Sequence, residues 1–456
     1  VSDEQAHSFG DGFLWGAATA AHQVEGNNDK NDWWDWEQLP GKINNGDRSG
    51  LACDHYRRFP EDFRVLQSMG HNAHRLSVEW SRVEPEPGRY DDAVLEHYRE
   101  VLGTLRDLGM TPMVTLHHFT NPRWLAARGG WENDDVVETF RQYARVCLER
   151  LGDLASLWVT INEPNVYAYQ CYTAGLWLPE KKSFFAAAAV LRNMVRAHAA
   201  AFEEIKRSRY SAGARVGVAQ HLRVFQAWHG WSPLDQLAAS FPRHAFNHWF
   251  LRACTDGRAG FPLGLRQRIP EAAGTMDFVG VNYYSRDMVM FHPGAVGSML
   301  SKTFPAPGRP RSDFGMEIYP EGFHTVLDDV WRTYRRPIYV TEHGVADATD
   351  RFRPRALVGH LAELGRAQRE GIDIRGYLHW SSMDNFEWTE GYAMRFGLFE
   401  VDFDTQERRP RPSAALYSGI IARNGLTWAE IEQHHPGAAR YFVGSRSGLA
   451  SSSSPS

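Results

Sequence analysis

Cysteine is scarce in this chain of 456 residues: Cys53, Cys147, Cys171 and Cys254 stand far apart, with no CxxC or other metal-ligand spacing. A disulfide framework, a structural zinc and any other metal site are therefore not expected. Long apolar runs are missing too. The strongest, residues 183–191, is bounded by Lys182 and Arg192 and reaches about half the length that spans a bilayer, so a membrane partner is not expected. There is no basic excess: 50 Lys+Arg against 55 Asp+Glu give a formal net charge of −5. That balance disfavours nucleic acid, whose phosphates call for a basic face. No Asn-x-Ser/Thr sequon occurs, and the first five residues, Val-Ser-Asp-Glu-Gln, offer neither a basic n-region nor an apolar h-region. The expectation is a cytoplasmic protein, with secretion after processing as the alternative.

What is present argues for a folded globular protein. With 43% hydrophobic and 13% aromatic residues, enough apolar surface can be buried to exclude disorder, in one large barrel or in two to three ordinary domains. The 16 Trp either fill the core or line a recognition surface. Short β-branched or aromatic runs alternate with longer amphipathic stretches up to about residue 424. Strands are predicted at 13–17, 72–78, 112–116, 157–161, 215–219, 278–282, 338–341 and 375–378, and helices at 93–108, 136–151, 186–207, 235–252, 323–334 and 356–370. Eight βα units predict an α/β fold, a (β/α)₈ barrel over residues 1–445 with elaborated βα loops. The Ser-rich segment 446–456 is expected to be a disordered tail.

In such a barrel, reactive groups sit where strands end and βα loops begin. Two carboxylates hold that position, each followed by a residue that stops the strand: Glu163 before Pro164, and Glu342 two before Gly344. Opposed carboxyls about 5–5.5 Å apart cleave a glycosidic bond with retention, one attacking the anomeric carbon while the other protonates the leaving oxygen and later activates water. A strand-end glutamate also serves simply as a solvated or ion-paired group. Arg75 in His74-Arg75-Leu76-Ser77 can hold a nearby Glu342 ionised, and Tyr284 can donate a hydrogen bond to it, both lowering its pKa. Glu163, as the acid, needs a raised pKa. The structural alternatives are a plain salt bridge for Arg75 and a core position for Tyr284.

The segments Phe13-Leu14-Trp15-Gly16-Ala17, Gln23-Val24-Glu25-Gly26, Thr160-Ile161-Asn162-Glu163-Pro164, Val340-Thr341-Glu342-His343-Gly344 and Trp380-Ser381-Ser382-Met383-Asp384-Asn385-Phe386-Glu387-Trp388 closely resemble glycoside hydrolase family one, the β-glucosidase/β-galactosidase family. The resemblance runs from about Phe9 to Asn424. It implies Glu163 as acid/base and Glu342 as nucleophile, with no cofactor and a small β-glycoside or oligosaccharide as partner. It also implies that Gln23, His118, Asn162 and Glu387 bind the terminal sugar, with Asn282 near the reaction centre, Trp380 as platform, Trp388 offering its indole N–H and Phe396 as an apolar wall near the 6-position. Glu387 argues against 6-phosphorylated sugars, since a carboxylate there repels a phosphate. Glucose, galactose and fucose stay open, as does transfer of the sugar to an acceptor other than water. A sugar-binding protein without catalysis is the reading from a different class, and the presence of both glutamates counts against it.

Two positions depart from the family pattern. His343 follows the nucleophile where Asn is usual; it is either a packing substitution turned away from Glu342 by strand alternation or a second titrating group that shifts the acid limb of activity. Asn165 stands two residues beyond Glu163, where many members carry a Trp that stacks on the leaving group. Asn165, Tyr172, Trp177 and His221 are accordingly candidates for the aglycone site, against simple loop packing for the last three. The His117-His118 pair is not expected to share an ion, because adjacent strand residues face opposite ways.

Overall fold

The apolar runs form eight parallel strands in a computed structural model, which describes residues 4–260, 267–295 and 300–442. They are β1 (Leu14–Ala18), β2 (Ala73–Ser77), β3 (Thr111–His117), β4 (Leu157–Asn162), β5 (Arg215–Ala227), β6 (Phe278–Phe291), β7 (Ile338–His343) and β8 (Ile374–Trp380). Each pairs in parallel with the next, and β8 pairs with β1, so the sheet closes into a barrel. Helices α1 (His55–Ser68), α2 (Asp92–Asp107), α3 (Val136–Leu151), α4 (Phe184–Arg207), α5 (Trp249–Asp256), α6 (Pro320–Tyr334), α7 (Arg353–Arg369) and α8 (Pro412–Arg423) follow the strands in turn. The fold is the (β/α)₈ barrel that the βα count predicts. The expected tail, 446–456, lies outside the described residues.

Strand alternation divides the core in two. Val114, Ile161, Val216, Val218, Val279, Val281 and Val340 belong to the large cluster that also holds Leu102, Leu148, Val195, Phe323 and Leu361 of the helices. Their neighbours Ala73, Met113, Val159, Ala219, Phe278, Tyr339 and Leu378 form a second cluster with Trp380 that plugs the barrel interior. Each Val, Leu, Ile, Met or Phe among them, fully buried, contributes about 1.5–3 kcal/mol relative to exposure. The plug is a floor, above which polar side chains of the strand ends face a common space. A separate cavity of about 520 Å³ opens at the opposite end, lined by strand starts such as Leu14, Thr111, Leu157 and Tyr339; it is remote from the carboxylates.

The structure corrects three sequence boundaries. The predicted helix 235–252 is broken into Pro233–Pro242, a π-helical segment Arg243–His248, and α5. The strands expected to stop at residues 219 and 282 run on to Ala227 and Phe291, paired with each other. In that pairing Leu222 stands opposite Tyr283 and Val224 opposite Arg286. Two β6 residues therefore face Arg223, a bulge of the kind that re-aims side chains beside active sites.

Candidate active site

Arg75 is the hub of the barrel mouth. Buried on β2, it donates from Nε to Thr115 Oγ1 at 3.0 Å, from Nη1 to Glu342 Oε1 at 2.6 Å and to the Thr341 carbonyl at 3.2 Å, and from Nη2 to Asn162 Oδ1 at 2.6 Å. One planar fork thereby fixes side chains of β3, β4 and β7, a geometry that lysine cannot reproduce. Glu342 takes its second donor from β6, the Tyr284 hydroxyl at 2.8 Å on Oε2. Asn282, which lies beside Glu342 in the β6–β7 register, accepts from Thr341 Oγ1 at 2.6 Å. Its amide donates to Asn162 Oδ1 at 3.1 Å and to Glu163 Oε1 at 2.9 Å.

Glu163 ends β4 in the left-handed region, φ 44° and ψ 56°, where Pro164 at once begins a short helix. Its backbone N–H donates to the Ala219 carbonyl at 2.7 Å. Oε1 also meets His221 Nδ1 at 3.0 Å. His221 is thus not in an aglycone loop: it lies on the prolonged β5 and touches the carboxylate directly. Burial raises the pKa of Glu163; with a protonated His221, the charge and hydrogen bond of that ring, then Asn282 and Arg75, would outweigh burial and hold it below its usual value. Glu342 is pushed up to about 7, by burial first and by the charge of Glu163, against the pull of Arg75 and Tyr284. This ordering reverses the one expected from sequence, and it depends on a charge at His221.

Around this pair the structure gathers the expected sugar-binding side chains. Asn162 Oδ1 is occupied as an acceptor by Arg75 and Asn282, so its amide nitrogen donates to His118 Nε2 at 3.2 Å. The proton of His118 is thereby left on Nδ1, a buried atom with no partner; burial holds this imidazole far below its ordinary pKa, hence neutral. Gln23 donates from Nε2 to Glu387 Oε2 at 3.1 Å, to the Phe386 carbonyl at 2.9 Å and to Asn385 Oδ1 at 3.0 Å, and its Oε1 is likewise buried and unpartnered. Glu387 is pushed up to about 8, first by burial and then by the Glu342 charge. The rings of Trp380 and Trp388 lie nearly parallel to His118, 6.0 and 6.1 Å away. Phe396 sits 6.1 Å from the Tyr284 ring.

The loop that carries these residues after β8 is anchored from beneath. Arg411 holds Asp384 with two hydrogen bonds, 3.0 and 2.8 Å, both side chains being buried, while Asp384 Oδ1 also accepts from Gly397 N at 2.9 Å. Gly344 makes the other close approach: a Cβ there would stand 1.8 Å from the Trp380 carbonyl oxygen. Only a glycine lets the strand end bearing Glu342 pass against the one bearing Trp380.

The remaining candidates separate. Trp177 packs 5.9 Å from Trp388 within a shell that includes Trp33 and Phe119, and Tyr172 is buried 6.0 Å from Tyr167; each has aromatic packing partners. Asn165 is tied to main chain, donating to the carbonyls of His221 at 2.8 Å and Phe246 at 3.0 Å. His343 turns away from Glu342 into the layer between barrel and helices, 2.6 Å from the Tyr377 hydroxyl and 4.0 Å from the His360 ring. Burial keeps its pKa well below the ordinary value, and both observations favour the packing substitution over a second titrating group. His117 faces Asn121 and Trp131 on the side opposite His118, and among the described residues no group of three or more His, Cys, Asp or Glu is placed to hold a metal ion. Sequence reasoning missed Phe246, whose ring lies 5.7 Å from His221, and Tyr169, which is 50% exposed and 6.5 Å from Phe246. It also missed Arg223, two residues along from His221 on the same strand face.

A (β/α)₈ barrel whose mouth sets two buried carboxylates beside a tryptophan platform and a ring of sugar-type hydrogen-bonding groups defines a glycoside hydrolase. Comparison with known proteins gives the family. Residues 5–426 match the model described as Glycosyl hydrolase family 1. Beta-glucosidase A of Thermotoga maritima is 33% identical over 446 residues, covering 92% of this chain and 98% of that protein, and a 1,4-beta-D-glucan glucohydrolase of Thermotoga neapolitana is 34% identical over 447 residues, covering 92% and 99%. Among solved structures, a beta-glycosidase from Pyrococcus horikoshii superposes with a TM-score of 0.88 at 36% identity, covering 94% of this chain and 98% of that one. A beta-glucosidase from Thermotoga maritima in complex with glucoimidazole gives a TM-score of 0.87 at 32% identity, covering 92% and 100%. The chain belongs to glycosyl hydrolase family 1 and is a retaining β-glycosidase. No helix among the described residues is long and apolar enough to cross a membrane.

Proposed function

We propose that the chain hydrolyses terminal, non-reducing β-D-glucosyl residues of non-phosphorylated glycosides, with Glu342 as nucleophile and Glu163 as acid/base. Glu342 attacks the anomeric carbon, and the bond to the leaving oxygen breaks as Glu163 passes its proton to that oxygen. The resulting glycosyl ester on Glu342 is opened by water, which Glu163, now a base, deprotonates. The observation that carries the roles is the Arg75 contact of 2.6 Å with Glu342, reinforced by Tyr284 at 2.8 Å. A full cation and a hydroxyl hold that oxygen pair as an anion aimed across the mouth, while Glu163 has no cation bonded to it.

Glucose is favoured by the names of the relatives, and Glu387 beside Gln23, an acidic side chain with no positive charge to offer a phosphate, supports a neutral sugar. The unpartnered Gln23 Oε1 and His118 Nδ1 suit sugar hydroxyls, and Asn162, next to Glu163, is the candidate donor to the 2-hydroxyl, a bond that strengthens in the transition state. Galactosyl and fucosyl substrates, and transfer to a second sugar, belong to the same proposal as weaker activities. The four buried free cysteines suit a reducing, cytoplasmic setting. In the decisive experiment, Glu342→Gly abolishes hydrolysis of aryl β-glucosides and azide restores turnover as the azide of opposite anomeric configuration. Undiminished hydrolysis by that variant overturns the assignment.

A further inference from the structure

His221 has a second ring contact, and that contact decides its protonation. Arg223 donates from Nε to His221 Nε2 at 3.0 Å while its Nη1 is held by Asp287 Oδ2 at 2.9 Å. A guanidinium only donates, so Nε2 must present a lone pair and the one ring proton resides on Nδ1. His221 is therefore a neutral donor to Glu163 Oε1, not an imidazolium. Its position is fixed from several sides. Asn165 holds its carbonyl, Asn247 brackets the backbone of Arg223 with hydrogen bonds of 3.2 and 2.8 Å, and the Tyr284 ring lies 5.5 Å away at an interplanar angle of 25°. Oε1 of Glu163 receives Asn282 as well, so it is occupied by two N–H donors.

We propose that Asp287, Arg223 and His221 form a relay that reserves Oε1 of Glu163 as an acceptor and leaves Oε2 as the oxygen that carries the acid proton. His221 is a positioning residue: it acts through Glu163 and takes no proton in turnover. The proposal rests on Glu163 as the acid/base. It also answers the reversed ordering of the two carboxylates. Without an imidazolium at His221, the cation bonded to the pair is Arg75 on Glu342, and their shared proton belongs on Glu163. The other charged or titratable groups that face Glu163 are Glu342 on β7, Glu387 after β8, Tyr284 on β6, and Arg223 on β5 with Tyr169 beside it.

The test compares phenyl β-D-glucoside, whose departure needs the acid proton, with dinitrophenyl β-D-glucoside, whose departure does not. His221→Leu is expected to lower kcat/KM about tenfold on the phenyl substrate and to leave the dinitrophenyl substrate unchanged. It also moves the alkaline limb of the phenyl profile to higher pH, because a donor to the carboxylate form is lost. His221→Asn, which keeps an N–H near the place of Nδ1, restores most of the phenyl activity, and Arg223→Met gives a smaller loss with the same leaving-group dependence. Equal losses on both substrates, or unmoved limbs with no leaving-group dependence, overturn the relay. Glu163→Ala is the control: if it affects both substrates equally, the acid/base reading of Glu163 itself fails, a result distinct from failure of the relay alone.

Discussion

The two sides of the pocket are built on different principles. The wall proposed for the terminal sugar hangs on strand ends and on a loop clamped by a buried ion pair, Asp384–Arg411, and its side chains bond mostly to one another. The side proposed to meet the leaving group includes two π-helical segments, Tyr169–Thr173 and Arg243–His248, with Asn165 and Gln220 gripping the main-chain carbonyls of His221 and Phe246. The first arrangement fixes side chains and so is expected to prefer one hydroxyl pattern over its epimers. The second fixes backbone and leaves the side chains above it, Phe246 and Tyr169, free to differ.

Four perturbations probe this contrast. The largest is Asp384→Ala, which strands Arg411 as an unpaired buried cation; the expected destabilisation is about 3–5 kcal/mol, read by denaturant unfolding, and an unchanged midpoint would show that the loop needs no clamp. Next is Phe246→Ala, expected to lower kcat/KM for glucosides of apolar aglycones about two- to tenfold while leaving inhibition by glucose unchanged; a parallel loss in glucose affinity would merge the two walls. Glu387→Gln isolates one buried acid of the sugar wall. Below pH 4.5 its carboxyl is protonated in folded and unfolded chains alike; between 4.5 and about 8 the unfolded chain releases a proton that the folded one keeps, so native stability falls as pH rises through that window. The wild type should lose Tm relative to the Gln variant across it, and a constant difference contradicts the buried, proton-bearing Glu387. The smallest effect is expected of His343→Asn, whose pH profile should superimpose on that of wild type because the imidazole faces the helices; a displaced acid limb would return His343 to the site.

The barrel was legible in the sequence because it rests on local signals, and the residues of the proposed sugar wall were expected from the resemblance of whole segments to glycoside hydrolase family one. Apolar runs of strand length ended at Asn162-Glu163, Glu342-His343 and His379-Trp380, and the structure puts those junctions at the mouth. The leaving-group side was not legible, for two physical reasons. A π turn inserts one residue into a helix, which hydrophobic periodicity does not register, so 235–252 read as one continuous helix. The apolar run of β5 stops at Gln220 because both faces turn polar there, Gln220 on the side of Val218 and His221 on the side of Ala219; Gln220, His221 and Arg223 read as loop although they continue the strand. His221 was singled out but misplaced for that reason, and Arg223 had no signal apart from the strand it extends.

The grip on carbonyls makes position 246 replaceable. Asn165 and Gln220 hold it through an oxygen that every amino acid possesses, so the hydrogen bonds that fix this turn do not depend on the side chain it carries. Substitutions of Phe246 are therefore expected to change which leaving groups the mouth accepts while the backbone beneath keeps its place.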